Sequence, residues 1–411
     1  MEQDIKKIER IKLIVFAVFG LCFFLTRSLR SFTKYPLWYD HYTNIPSGAN
    51  TIGMDFNAVA SFCYDFFHTG NAYIHESSVY PPFLVLFNLL YYPFKTLTAY
   101  RIHASIIFFL LPLCLYLMTK IIKKSSNQSI SYWAGDFFLF GLICLLGWNS
   151  YPLKFAMERG NGDLHALTFG IIGLYFTIKE EQKFLPSIIF FSLAAHYKIH
   201  PLIWYLIPVF RYGFKKTFFP FLITNLILLF CLGPYNLWGF IHNVLAVGNN
   251  PYIWVGNHSI ASFYHLQFVE KGMGNDLIKY GLYLIGVLPW LIFLLNEKFK
   301  TFDAYRTLFY FLLCLPIMCY LPSQSHDYKL TMMFVVHFAF ACIILGQIKD
   351  KISWGDGVIL FINFFFCMMQ TRSYDMGPKG WNTNKFLYLL GTEYMLYFWW
   401  ILKERKKLVH A

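Results

Sequence analysis

The chain has 411 residues, of which 57% are hydrophobic, 21% aromatic and only 14% charged. A soluble domain carries about 25% charged residues, so an ordinary soluble globular protein is excluded and an integral membrane protein is expected. The net charge of +13 is spread along the chain rather than gathered in one patch, so nucleic acid is not an expected partner.

Apolar runs of about 15–20 residues recur along the chain, the length scale of membrane helices rather than of the ten-residue alternation of a barrel strand. The first, Leu13–Thr26, follows Lys6, Lys7, Arg10 and Lys12 and precedes Arg27 and Arg30 without a small-x-small cleavage site, as in an uncleaved anchor. Further basic clusters lie between the later runs: Lys120/Lys123/Lys124, Lys179/Lys183, Arg211/Lys215/Lys216, Lys298/Lys300, Lys349/Lys351 and Lys403/Arg405/Lys406/Lys407. Short loops rich in Lys and Arg stay cytoplasmic. Placing the N-terminus and all these clusters inside predicts twelve spans, 12–31, 102–119, 131–148, 162–178, 184–196, 201–210, 217–237, 276–295, 303–321, 329–347, 355–370 and 385–402. The expected fold is an all-α polytopic membrane protein, a single integral domain over 1–411. Both termini are inside, and 32–101 forms the first outer loop.

Two stretches are decided by charge. Tyr80–Phe94 is apolar, but fifteen helical residues reach only about 22 Å against a hydrocarbon core of about 30 Å. If it crossed, sixteen later Lys and Arg residues would move outside, so it is expected as a helix lying in the outer interface. Phe184–Phe210 is interrupted by His196-Tyr197-Lys198-Ile199-His200-Pro201. Two short helices meeting at Lys198–Pro201 keep the charges inside, and such broken helices are tolerated where they line an enclosed polar cavity.

The outer face then collects most of the unusual polar residues. Asp55 precedes the aromatic run Phe56–Gly70 and is either a helix N-cap or a general base beside the lipid surface. Asp40, between Tyr39 and His41, is the alternative base. Tyr80-Pro81-Pro82 reads first as a helix start, where missing amide donors cost nothing. In Glu158-Arg159-Gly160-Asn161-Gly162-Asp163, with His165 close behind, the charges either pair with one another or contact a phosphate or sugar, with glycines permitting close approach. Lys198 and His200, at the break between two helices, suit a phosphate held beside helix-end amides, although a snorkelling lysine is the plainer alternative. His326-Asp327-Tyr328-Lys329 follows Pro322-Ser323-Gln324-Ser325 as a cluster of mixed donors and acceptors. Adjacent His and Asp do not readily share one ion, and no metal site is expected. Nine cysteines, all but Cys63 within apolar segments, give neither disulfide nor metal spacing. Asn127 and Asn257 stand in Asn-x-Ser patterns. The first falls on the inside by chance, and the second belongs to an outer loop that also suits a site.

The run from Asp55-Phe56 through Gly70-Asn71-x-Tyr73 to Tyr80-Pro81-Pro82 resembles glycosyltransferase family 87 of the glycosyltransferase C superfamily. Gly160-Asn161-Gly162-Asp163 before a span, Lys198-x2-Pro201, Asn257-His258-Ser259 and Ser325-His326-Asp327-Tyr328 follow in the family's order, so the resemblance covers roughly residues 1–350. It departs at Gly160–Asp163, where Gly-Gln-x-Asn is commoner, and at Asp327, where a second histidine is. The resemblance implies an inverting transferase that moves a sugar, with mannose the first expectation, from a polyprenyl-phosphate donor to a lipid-linked or glycan acceptor. It would act at the outer face of a bacterial inner membrane, in contact with membrane lipids and without cofactor or metal. It implies Asp55 and His326 as catalytic, and Lys198, Arg159 and His200 as holding the donor phosphate. Asp40, Tyr80, Asn161, Asp163, Asn257, His258, Asp327 and Tyr328 would contact substrate. A lipid-linked glycan transporter or flippase is the alternative, and an outward-facing glycan ligase or polymerase a further one.

Overall fold

A computed structural model describes residues 53–75, 77–126, 133–179, 184–248, 253, 256–297, 302–346, 353–371 and 384–409. The expected first span 12–31 and the alternative base Asp40 lie outside the described residues. Among these residues every extended element is helical, apart from an isolated antiparallel bridge between Asn257 and His326.

The elements follow the apolar runs with three instructive departures. Helix α1 (Met54–Thr69) ends on Gly70 at φ 75°, whose amide closes on the Phe66 carbonyl, a left-handed cap that glycine enters without a Cβ penalty. Helix α2 (Pro82–Phe87) has Pro82 in its first turn and continues as a 3₁₀ turn over Asn88–Tyr91, shorter than the helix expected over Tyr80–Phe94. Helix α3 (Thr96–Ser126) runs 31 residues with Lys123 and Lys124 in its last turn, where cations complement the helix dipole.

The first departure is at Asn149–Asn161, expected as an outer loop. Helix α4 (Trp133–Asn149) bends by 56° into helix α5 (Tyr151–Arg159). Ser150 makes the corner: its hydroxyl accepts the Leu153 amide, and Pro152 occupies the first turn, so a new helix starts at once. Helices α6 (Asp163–Lys179) and α7 (Phe184–Tyr197) then pack on each other. The break at Lys198–Pro201 is present, followed by a 3₁₀ segment His200–Tyr205 and helix α8 (Leu206–Tyr212).

The second departure is the expected span 217–237. Helix α9 (Phe214–Leu229) and helix α10 (Pro234–Gly248) meet at 93°. Gly233 at φ 86° followed by Pro234 turns the chain, because proline cannot continue the preceding helical hydrogen bonds. Much of the expected loop 238–275 is likewise helical, in α10 and in helix α11 (Ile260–Tyr264) with a π turn over His265–Val269.

The remainder comprises α12 (Asp276–Glu297), α13 (Ala304–Tyr320), a 3₁₀ turn Asp327–Met332 leading into α14 (Met333–Leu345), α15 (Trp354–Thr371) and α16 (Phe386–Val409). The third departure concerns number. Among the described residues three helical stretches, Thr96–Ser125, Asp276–Asn296 and Asp327–Leu345, are long and apolar enough to cross a membrane by themselves, or five if each bent pair counts as one span. Other apolar helices such as Asp163–Ile178 and Phe184–Tyr197 are shorter than a full crossing.

The Asp327–Leu345 stretch is the centre, with 94% of the residues in its most apolar window buried, against 17% for Asp276–Asn296. Helix α14 packs against α3, α4, α13 and α15. On the outside, α9 exposes Phe218, Phe219, Leu222, Ile223 and Ile227, and α12 exposes Leu277, Leu284, Ile285 and Leu295. Contiguous apolar faces of this kind mark lipid or protein contact, so apolar helices able to span a bilayer are the coarse architecture.

Candidate functional site

The site is built where the N-terminus of α1 meets the junction of α5 and α6. The Gly53 amide donates to the Glu158 carbonyl over 2.6 Å, and the Tyr100 hydroxyl of α3 lies 3.0 Å from the carbonyls of both Met157 and Glu158. Asp55 sits in the first turn of α1 but does not cap it. Its carboxylate reaches across to α5 instead. Arg159 donates to Oδ1 from Nε at 3.0 Å and from Nη2 at 2.6 Å, and Asn161 Nδ2 donates to Oδ2 at 2.8 Å. Arg159 therefore pairs with a residue 104 positions away, not with Glu158 or Asp163 as local spacing suggests.

The Gly-Asn-Gly-Asp run is shaped for this contact. Gly160 caps α5 at φ 65°, and a Cβ on it would lie 2.6 Å from Cβ of Phe56. A Cβ on Gly162 would lie 2.3 Å from Cε1 of Tyr197. Between them, Asn161 Oδ1 accepts the Asp163 amide at 3.0 Å, so one side chain both starts α6 and holds Asp55.

Tyr80 enters from the loop before α2. The Tyr73 hydroxyl donates to the Tyr80 carbonyl at 2.7 Å, and Lys198 Nζ lies 4.5 Å from the Tyr80 ring centroid. Burial works against the Lys198 charge, but Tyr80, Asp163 and Asp55 outweigh it and hold the ammonium above the ordinary lysine range. Asp55, Tyr80, Asn88, His103, Gly160, Gly162, Tyr197 and Lys198 line a cavity of about 20 Å³, roughly the space of one water.

Behind Lys198, His200 Nε2 approaches Asp163 Oδ1 at 3.6 Å, with the two side chains 8% and 2% exposed. Burial, reinforced by Lys329 and Lys198, pushes the His200 imidazole well below its usual range. Its Nε2 is a hydrogen-bonding group turned toward the Asp163 carboxylate. Lys329 Nζ donates to the Gln324 carbonyl at 2.8 Å.

The late loop closes one side. Tyr328 stacks on Phe155 of α5 with centroids 5.8 Å apart, and the His326 ring is 5.5 Å from Tyr328. Burial lowers the His326 imidazole to about 4 against the pull of Asp55 and Asp327. Asn257, His258 and Asp327 form an adjoining enclosed hub. His258 Nε2 faces Asp327 Oδ1 at 2.9 Å while its Nδ1 accepts the Lys385 amide at 3.0 Å, so Nε2 is the protonated nitrogen. Asn257 donates to the Ser323 carbonyl and accepts the Ser325 amide, and Asn384 donates to the Asn257 carbonyl. With Asn257 and His258 at 0% exposure, these groups fasten three loops together.

The fold thus brings Asp55, Tyr80, Arg159, Asn161, Asp163, Lys198 and His200 to one place, with His326 and Tyr328 at its border. Two features escaped sequence reasoning. The rings of His103 and His165 stack at 4.7 Å and those of His165 and Tyr197 at 5.3 Å, a parallel pile beside the cavity. A histidine inside the apolar run of α3 was the one available signal for it. The other is the support beneath Tyr80: Asn236 accepts the Ala72 amide and donates to the Gly70 carbonyl, and Asn243 donates to the His75 carbonyl. No metal-binding group of three or more His, Cys, Asp or Glu occurs among the described residues.

No family model and no curated protein matches this chain.

Proposed function

We propose that this chain is a membrane-embedded, inverting glycosyltransferase that moves a sugar from a polyprenyl-phosphate donor to a hydroxyl of a lipid-linked or glycan acceptor. What carries the reading is the convergence of Asp55, Arg159 and Lys198 from three distant segments onto one polar region in an apolar bundle, with His326 at its border. Buried charge of this kind is costly in an apolar surrounding and marks function. The fuller topology of twelve spans, with the site facing outward from a bacterial inner membrane and lipids around it, belongs to this reading.

The chemistry suits the groups. The acceptor oxygen forms a bond to the anomeric carbon as the bond from that carbon to the phosphate oxygen breaks, which inverts the centre. The hydroxyl proton passes to Asp55, whose carboxylate is held in place by Arg159 and Asn161. The electron pair leaves with the lipid phosphate, where Lys198 and Arg159 offset the developing charge. A phosphate is already a good leaving group, so no general acid is required, and neutral His326 serves as a hydrogen-bond donor.

Asp55→Asn keeps the size of the side chain and removes the proton acceptor. Transfer of label from a radiolabelled polyprenyl-phosphate sugar is expected to fall by about 10²–10⁴-fold while expression is unchanged. Undiminished transfer overturns Asp55 as base and turns attention to Asp40. Movement of the lipid-linked sugar across proteoliposomes with no bond made or broken would favour the flippase reading.

A further inference from the structure

Asp163 is the least expected group in the site. It opens an apolar helix, is 1% exposed, and neither carboxylate oxygen has a hydrogen-bond partner among the described residues. His200 Nε2 likewise has no hydrogen-bond partner among the described residues and stands 3.6 Å from Asp163 Oδ1. Lys198 and Lys329 lie within electrostatic reach, yet each is directed elsewhere, toward the Tyr80 ring and the Gln324 carbonyl. Leaving a buried carboxylate and an imidazole without hydrogen bonds costs roughly 1–3 kcal/mol or more for each group, so the pair is suited to a polar group that both donates and accepts.

A sugar hydroxyl is such a ligand. It donates one hydrogen bond and accepts another, and two atoms 3.6 Å apart can both reach one oxygen at ordinary hydrogen-bond length. The second carboxylate oxygen can take a neighbouring hydroxyl. Phosphate offers only acceptors and is repelled by a carboxylate, so it belongs with Lys198 on the Tyr80 side.

We propose that Asp163 and His200 form a subsite that reads adjacent hydroxyls of the donor's sugar, making them specificity-determining residues distinct from the phosphate contacts. The proposal rests on the glycosyltransferase reading and deepens it. His200 Nε2, 3.6 Å from Asp163 Oδ1, is placed to share one hydroxyl with that carboxylate.

The test is binding to the full-length protein in detergent, with four probes: bare polyprenyl phosphate, and the same lipid bearing mannose, glucose or galactose. The wild type is expected to bind one sugar-bearing lipid at least about tenfold more tightly than the bare lipid, the gain from one hydrogen bond to a charged group. Asp163→Asn should bring the ratio of sugar-bearing to bare affinity toward one, and its remaining binding of bare polyprenyl phosphate reports that the variant is folded. If Asp163→Asn does not fold, His200→Gln carries the same comparison. A wild type that binds no polyprenyl phosphate at all sinks the transferase reading itself. A wild type that prefers one sugar, with variants that keep the preference, overturns the hydroxyl subsite alone. So does a variant that weakens bare and sugar-bearing lipids equally.

Discussion

Arg159 directs two donors at one oxygen of Asp55, and only a guanidinium provides that fork. Arg159→Lys retains the charge and loses at least one of the two bonds, and a hydrogen bond to a charged group is worth about 1.5–3 kcal/mol. Transfer rates measured with labelled donor should drop about tenfold or more in that variant. His326 yields a pH prediction. Burial lowers its imidazole from 6.5 to about 4, so the unfolded chain takes up the proton first as pH falls. The stability tied to neutral His326 is fully present above about pH 6.5 and is lost progressively toward pH 4. Thermal unfolding in detergent should therefore show a steeper acid loss in the wild type than in His326→Gln; equal slopes would mean that His326 is solvated. Gly162 shows the same logic in packing. A Cβ there meets the Tyr197 ring at 2.3 Å, and overpacking of this kind costs about 1–3 kcal/mol. Gly162→Ala should lower the melting temperature and the activity together.

At the scale of elements, helices α5 and α10 decide where the site stands. Helix α5 exists because Ser150 and Pro152 restart a helix at the 56° bend, and its last turn delivers Arg159 while its Phe155 supports Tyr328. Helix α10 exists because Gly233-Pro234 turns the chain by 93°, and its Asn236 and Asn243 bind the 70–78 backbone that leads to Tyr80. Asn236→Ala removes two hydrogen bonds to that loop and leaves its backbone groups unpaired, at about 1–3 kcal/mol each. Amide exchange over 70–75 should accelerate in this variant well before the bundle as a whole unfolds. Unchanged exchange would show that α10 does not hold the loop.

At the scale of the molecule, the apolar faces of α9 and α12 and the buried α14 fit a bundle that meets lipid outside and itself inside. The charge pattern predicts that the turn at Met273 faces outward and the turn at Trp354 inward, and both side chains are exposed, at 53% and 87%. All eight described cysteines are buried or half-buried, and the unsubstituted chain supplies the labelling background. Met273→Cys should react with a membrane-impermeant maleimide in intact cells, and Trp354→Cys only after permeabilisation. Reaction of both from outside would break the alternating topology.

The sequence by itself determined the class, the apolar helices, the break at Lys198–Pro201 and most of the polar residues at the site. Hydropathy, loop charge and glycine–proline punctuation are local quantities, and they can be read along a chain. Only the tertiary structure decided partners. Along the chain Asp55 reads as either a helix cap or a base, and Arg159 as either the mate of Glu158 or Asp163 or a ligand contact. Both instead pair across 104 residues, because the close approach permitted by Gly160 brings α1 against the end of α5. The bends that split 133–159 and 214–248 into angled helices were equally hidden. A serine or glycine beside a proline marks a possible turn in sequence, while the packing around it fixes the angle.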